Sequence, residues 1–146
     1  MRRVPAFWDA SALVSLCVNE ATSPLARAYF RRFVPVVWWG SPVEMQSAIC
    51  RLQRESTITD AAKKGATARL QVLADGWREI LPGDDVREVA LQLLNNYSLR
   101  SADALQLAAA LIWCEHHPAR RNVISGDKRL STAAKAAGFS VLELPT

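Results

Sequence analysis

Five short apolar runs alternate with longer segments of helical periodicity along the 146 residues of this chain. The runs cover residues 3–8, 34–39, 77–81, 122–125 and 140–144. The second run is almost entirely apolar and rich in valine, as expected of a strand buried on both faces of a sheet. Strands that alternate with helices predict an α/β domain of three layers, α/β/α, around a five-stranded, mainly parallel sheet.

The segments between the runs predict about seven helices. They cover residues 10–19, 23–33, 41–55, 59–74, 85–96, 102–116 and 127–138. Ser23-Pro24 and Ser41-Pro42 each put a proline into the first turn of a helix, and Ser101 is predicted to cap the sixth helix. Gly138 is a typical residue for the end of the last one. Without repeats or linkers, residues 1–146 are expected to form a single domain.

Composition points to an anionic partner and to a reducing compartment. The net charge is +4 and the pI about 9.3, which favours nucleic acid as a partner. Three widely separated cysteines lie in apolar patterns and predict reduced, packed thiols, which fits a cytoplasmic protein. Polar residues interrupt the apolar stretch near the N-terminus, and no run reaches about 18 apolar residues, so neither a signal peptide nor a membrane span is expected.

Four carboxylates occupy equivalent places in this pattern. Asp9 follows the first strand and Asp127 the fourth, whereas Glu44 and Asp103 each open a helix. Ligands of parallel sheets bind beyond the carboxyl ends of the strands, so all four acids are expected at one edge. Carboxylates crowded together raise one another's pKa, and a divalent cation relieves that conflict. Oxygen ligands suit Mg²⁺ or Mn²⁺, so the pattern predicts a metal site.

Helix capping is the alternative interpretation for each acid. Glu44 stands three residues after Ser41, which is the spacing of a capping box. Asp103 has the position of an acid that complements a helix dipole, and Asp127 that of a plain N-cap. The common placement of all four acids favours the metal site.

The neighbouring polar residues also permit two interpretations. Ser11 and Ser125 either cap helices or orient the carboxylates beside them. Arg100 and Lys128, like Arg129, either hold phosphates or are solvated surface charges. Trp8, Trp38 and Trp39 are predicted to lie in the core of the sheet.

Four segments, taken together and in this order, resemble a known family over nearly the whole chain. They are residues 7–13 (FWDASAL), 41–44 (SPVE), 99–108 (LRSADALQLA) and 124–130 (ISGDKRL). These segments resemble the PIN domain and, more narrowly, the VapC-type toxin ribonucleases of prokaryotic toxin–antitoxin pairs. Two departures are small: Ser125 stands where the family often has threonine, and Phe7-Trp8 is bulkier than the usual aliphatic pair.

The resemblance implies a Mg²⁺-dependent endoribonuclease, with Mn²⁺ as a possible substitute. Its catalytic and metal-binding residues would be Asp9, Glu44, Asp103 and Asp127. It further implies sheet order 3-2-1-4-5, an RNA substrate, a homodimer and an antitoxin that blocks the groove.

Two other functions remain open from the sequence. One is a PIN-fold module that binds RNA or protein without turnover, and the other is a structure-specific DNA nuclease. A phosphoacceptor receiver domain is disfavoured, because Asp9 has no acidic neighbour and no lysine follows the fifth strand.

Overall fold

The computed structural model describes residues 2–145, and within them the chain forms the predicted alternation of strands and helices. In chain order the elements are β1 (Val4–Trp8), α1 (Ala10–Cys17), α2 (Ser23–Arg32), β2 (Phe33–Trp38), α3 (Ser41–Arg54), α4 (Asp60–Gly76), β3 (Arg78–Ile80), α5 (Asp84–Asn96), α6 (Ser101–Trp113), β4 (Asn122–Ser125), α7 (Lys128–Ala137) and β5 (Ser140–Glu143).

The five strands form one parallel sheet in the order β3-β2-β1-β4-β5, as the resemblance implied. β1 lies at its centre, with Val4 opposite Phe33 of β2 and Phe7 opposite Val123 of β4. Since all strands run in the same direction, their carboxyl ends share one edge of the sheet.

Helices cover both faces of the sheet and divide the core into two clusters. Phe7, Val36 and Val123 point to the face covered by α5, α6 and α7. Trp8 and Ile124 point to the opposite face, covered by α1 to α4. This alternation of neighbouring side chains is the normal consequence of strand geometry. It confirms a three-layer α/β/α fold.

Some boundaries and one core residue differ from the sequence-based predictions. The prediction that Ser101 caps α6 is wrong, because Arg100 is the N-cap and Ser101 is already helical. The helix stops at Trp113 because Glu115 and His116 adopt φ of 53° and 62°, outside the helical region. Trp39 was predicted in the core but is 52% exposed, since β2 ends one residue earlier.

The predicted packed thiols are found at two positions. Cys17 and Cys114 are buried, Cys50 is half-buried, and none of the three forms a disulfide. Between residues 2 and 145, no helix has the length and apolar character needed to cross a membrane.

Candidate metal and nucleic-acid site

Asp9 and Asp127 lie on neighbouring strands at the carboxyl edge of the sheet. Asp9 directly follows β1 and is 2% exposed. Its backbone N–H donates to the Ile124 carbonyl at 3.1 Å, which ties it to β4. Asp127 follows β4 and caps α7, where its Oδ1 accepts from the Leu130 N–H at 3.0 Å. The pairing of β1 with β4 therefore brings these two acids to one place.

Three donors fix the carboxylate of Asp9. Its Oδ1 accepts from the Ser11 hydroxyl at 2.5 Å and from the Ala12 N–H at 3.0 Å, so it also caps α1. Its Oδ2 accepts from the Ser125 hydroxyl at 2.6 Å. A carboxylate offers about four acceptor positions, so this arrangement leaves one for a further ligand. Ser11 and Ser125 thus both orient the Asp9 carboxylate, which is one of the two roles considered for them from the sequence.

Glu44 is held from the opposite direction by Gln106 of α6. The Gln106 Nε2 donates to Glu44 Oε2 at 2.9 Å and to the Ser41 hydroxyl at 2.9 Å. The capping-box alternative is wrong, because Gly40 is the N-cap of α3 and Ser41 is its first helical residue. Gln106 was not among the predicted site residues; its signal in the sequence is a polar residue one helical turn after Asp103, inside an apolar stripe.

Asp103 occupies the first turn of α6 and is half-buried. Its Oδ2 accepts from the Arg100 N–H at 3.3 Å. Asp9, Asp103 and Asp127 thus each satisfy a backbone N–H at a helix start. Because each bond uses part of a carboxylate, capping and a role in a metal site are compatible.

The four acids influence one another electrostatically. Burial raises the pKa of Asp9 to about 6, and the charge of Asp127 adds to this effect. Burial raises the pKa of Glu44, with further contributions from Asp9 and Asp103. Burial likewise raises the pKa of Asp103, helped by Asp127. The acids therefore form one coupled anionic cluster whose charge a cation would stabilise.

Glu44, Asp103 and Asp127 line a cleft of about 830 Å³, here called the acid cleft. Asp9 is buried and is not one of the residues that line this cleft. Four cationic side chains line the same cleft: Arg51, Arg100, Lys128 and Arg129. The two expected phosphate ligands, Arg100 and Lys128, are therefore beside the acids. A cleft with both signs of charge suits a phosphodiester accompanied by cations.

A second groove adjoins the acids and is here called the α1 groove. It has a volume of about 540 Å³ and runs from Glu44 and Gly126 along α1 to Glu20 and Thr22. Apolar side chains such as Val14 and Leu52 line much of it.

The donors at this site are carboxylate oxygens, the ligands that hard divalent cations prefer. Among residues 2–145, no three His, Cys, Asp or Glu side chains are arranged to hold a metal by themselves. Mg²⁺ keeps several waters and takes one or two carboxylates, so pairs of oxygen donors are what it requires. Structural zinc sites instead need four nitrogen or sulfur ligands. In donor chemistry the acids therefore suit Mg²⁺ or Mn²⁺, with at most two side chains of the described residues available to one ion.

Comparison with known proteins identifies the fold. No family model matches this sequence, and no curated protein is detectably similar to it. Solved structures do resemble it. One is a chain of a toxin–antitoxin complex from Klebsiella pneumoniae, with 16% identity and a TM-score of 0.61 over 86% of this chain and 90% of that one.

Two further structures resemble the chain equally well. PAE2754 from Pyrobaculum aerophilum has 17% identity and a TM-score of 0.61, over 97% of this chain and 90% of that one. FitAcB from Neisseria gonorrhoeae has 14% identity and a TM-score of 0.63, over 92% of this chain and 96% of that one. At such identities the likeness establishes the fold of nearly the whole chain.

Proposed function

We propose that this chain is a Mg²⁺-dependent endoribonuclease that hydrolyses phosphodiester bonds of RNA. Asp9, Glu44, Asp103 and Asp127 are its catalytic and metal-binding residues. The observation that carries the proposal is the coupled cluster of four acids at the carboxyl edge, beside a cleft lined by cations.

Each acid has a distinct setting in this proposal. The rigid, buried Asp9 offers one remaining acceptor position, while Glu44, Asp103 and Asp127 face the substrate in the acid cleft. A Mg²⁺ or Mn²⁺ ion held by these carboxylates would lower the pKa of a water molecule and neutralise charge on the phosphodiester. Arg100 and Lys128 hold phosphates on either side of the reacting one.

Incubation of a mixed RNA pool with the protein tests this function. Cleavage is expected with Mg²⁺ and is expected to stop with EDTA. Parallel samples of single-stranded and duplex DNA separate the alternatives. Cleavage of DNA in preference to RNA would make the protein a DNA nuclease, whereas RNA binding without cleavage of either would make it a binding module.

The toxin role and the antitoxin partner are a second part of the proposal. The similarity to a chain of a toxin–antitoxin complex supports it. Glu44 lines the α1 groove, so a segment of the antitoxin bound there reaches the acids. An arginine or lysine of that segment replaces the cation through charge-assisted hydrogen bonds. An inhibited complex whose acid cluster stays open to solvent would contradict this mode of inhibition.

An exposed apolar patch supports a homodimer. It consists of Trp39, Val43 and Leu81, which are 52%, 72% and 66% exposed. Backbone hydrogen bonds from Trp39 to Ile80 and from Val43 to Gly40 keep the three residues close to one another. Val43 also lines the acid cleft, so a second copy bound here would lie beside the site.

A further inference from the structure

A separate cavity adjoins the acid cleft and is here called the Tyr97 pocket. Its volume is about 450 Å³. It is lined by Tyr97, Ser98, Lys128, Arg129, Thr132, Ala133 and Ala136. Lys128 and Arg129 line both cavities, which makes the pocket and the acid cleft direct neighbours.

The pocket combines a fixed aromatic ring with a small apolar floor. Tyr97 follows α5, where its N–H donates to the Leu93 carbonyl at 2.9 Å, and its ring packs partly against the core. Ala133 and Ala136 of α7 are small and line the same pocket as the ring. The Thr132 hydroxyl donates to the Lys128 carbonyl at 2.9 Å, so its proton serves the helix. The lining therefore offers an aromatic face and small apolar side chains to a planar group, with hydroxyl and cationic side chains around it.

We propose that the Tyr97 pocket binds a nucleobase of the RNA, next to a phosphate held by Lys128 and Arg129. The inference rests on the proposed function, since that function makes RNA the ligand. Sites for single-stranded RNA combine cations that follow the backbone with aromatic rings on which bases stack. The shared lining residues place both features side by side here. The base in the pocket sets the register in which the RNA crosses the acids.

RNA binding tests the pocket without depending on catalysis. The protein carries Asp9→Asn and binds a short, labelled, single-stranded RNA in metal-free buffer. Tyr97→Ala is expected to weaken this binding by about 5-fold to 150-fold, the range for loss of one stacked base. Tyr97→Phe keeps the ring and should bind nearly normally. Tyr29→Ala is the matched control, because Tyr29 packs in the other core cluster.

A set of RNAs, each lacking one base, locates the contact. One abasic position should weaken RNA binding to the protein that retains Tyr97. The loss of affinity should be similar to the loss that Tyr97→Ala causes with the complete RNA. The same abasic RNA should bind the Tyr97→Ala variant without further loss, because the stacked pair has already been broken. Ala136→Leu, which fills the pocket and retains Tyr97, should lower affinity for the complete RNA and leave the thermal midpoint near its original value.

The outcomes separate this proposal from the nuclease function. If no abasic position couples to Tyr97, the pocket does not bind a base, even when RNA is cleaved with Mg²⁺. If one position couples but RNA stays intact with Mg²⁺, the pocket is established and the nuclease function is wrong. Loss of affinity for a protein partner alone, with RNA affinity unchanged, also overturns the proposal.

Discussion

At the scale of single residues, Asp9 is held by three donors, yet burial still raises its pKa from 3.8 to about 6. The folded protein therefore binds more protons than the unfolded chain between these values. By linkage, the free energy of unfolding falls as pH rises through this window. Without metal, the native state above pH 6 contains a buried charge that destabilises it.

Asp9→Asn removes that charge and keeps the size of the side chain. In metal-free buffer, the variant's unfolding free energy relative to the original protein should rise between pH 4 and pH 6. The gain is at most about 3 kcal/mol, reduced by weaker hydrogen bonds to the amide. Mg²⁺ should stabilise the original protein more than the variant. Urea unfolding at several pH values measures both effects.

The exposed Asp75, replaced by Asn, serves as the control for this prediction. A gain for Asp9→Asn that does not change with pH, or that Asp75→Asn reproduces, would contradict the account of the burial of Asp9.

Gln106→Leu tests the residue that holds Glu44. Loss of such a supporting hydrogen bond is expected to lower kcat/KM by about 10-fold to 100-fold, by analogy with residues that support metal ligands. The Gln106 bond lowers the pKa of Glu44, so its loss raises that pKa. The acidic limb of the pH–rate profile should therefore move to higher pH, which a purely structural role would not cause. Gln92→Leu, on the exposed side of α5, is the control.

The acids could be located from the sequence, but the contact between Gln106 and Glu44 could not. Each acid stands next to a recognisable strand end or helix start, and parallel strands bring such positions together. Gln106 lies 62 residues from Glu44 and acquires its role through a hydrogen bond from α6 to the first turn of α3, a helix on the other face of the sheet. Local pattern contains no information on that contact. The sequence also did not decide whether an acid caps a helix or belongs to the acid cluster. For Asp9 the structure shows both roles.

At the scale of elements, the turn between β2 and α3 positions Glu44. Gly40 has an ordinary φ of −79°, so its importance lies in space rather than in backbone freedom. A Cβ at this position would lie 2.5 Å from Nε1 of Trp38. Since Trp38 is buried in the core, its ring has little room to move.

Gly40→Ala should destabilise the protein by about 1–3 kcal/mol, the usual cost of overpacking. It should also lower RNA cleavage, because the start of α3 moves with the turn. Gly76→Ala is the matched control, since nothing lies within 4 Å of a Cβ there. That substitution should be neutral or stabilise by about 0.5–1 kcal/mol. Equal effects of the two substitutions in urea unfolding would contradict the role of Gly40.

The elements themselves were largely predictable, because strand runs and helical periodicity differ clearly along the chain. The periodicity of the sequence does not predict the order of the strands in the sheet. That order was predicted from the resemblance to the PIN domain. The ends of α6 and β2 were misplaced for physical reasons. Left-handed residues after Cys114 stop α6, and tertiary packing leaves Trp39 outside the core although its sequence surroundings are apolar.

At the scale of the whole molecule, the apolar patch of Trp39, Val43 and Leu81 is the feature that points to self-association. Trp39→Lys should convert a dimer to a monomer, because a charge would be buried at the interface. Analytical ultracentrifugation measures the change. Val72→Lys on α4 is the control, since Val72 is also 71% exposed but lies outside the patch. A wild-type chain that sediments as a monomer would contradict this interface.

Cleavage of a mixed RNA pool, measured against Mg²⁺ concentration, tests the central claim most directly. Asp9→Asn and Asp103→Asn should fold and still bind RNA through arginine and lysine, while the cleavage rate falls by several orders of magnitude. The loss should follow from a weaker hold on the cation and on the attacking water. If either variant cuts RNA at the wild-type rate, these acids act as helix caps and the nuclease function is wrong.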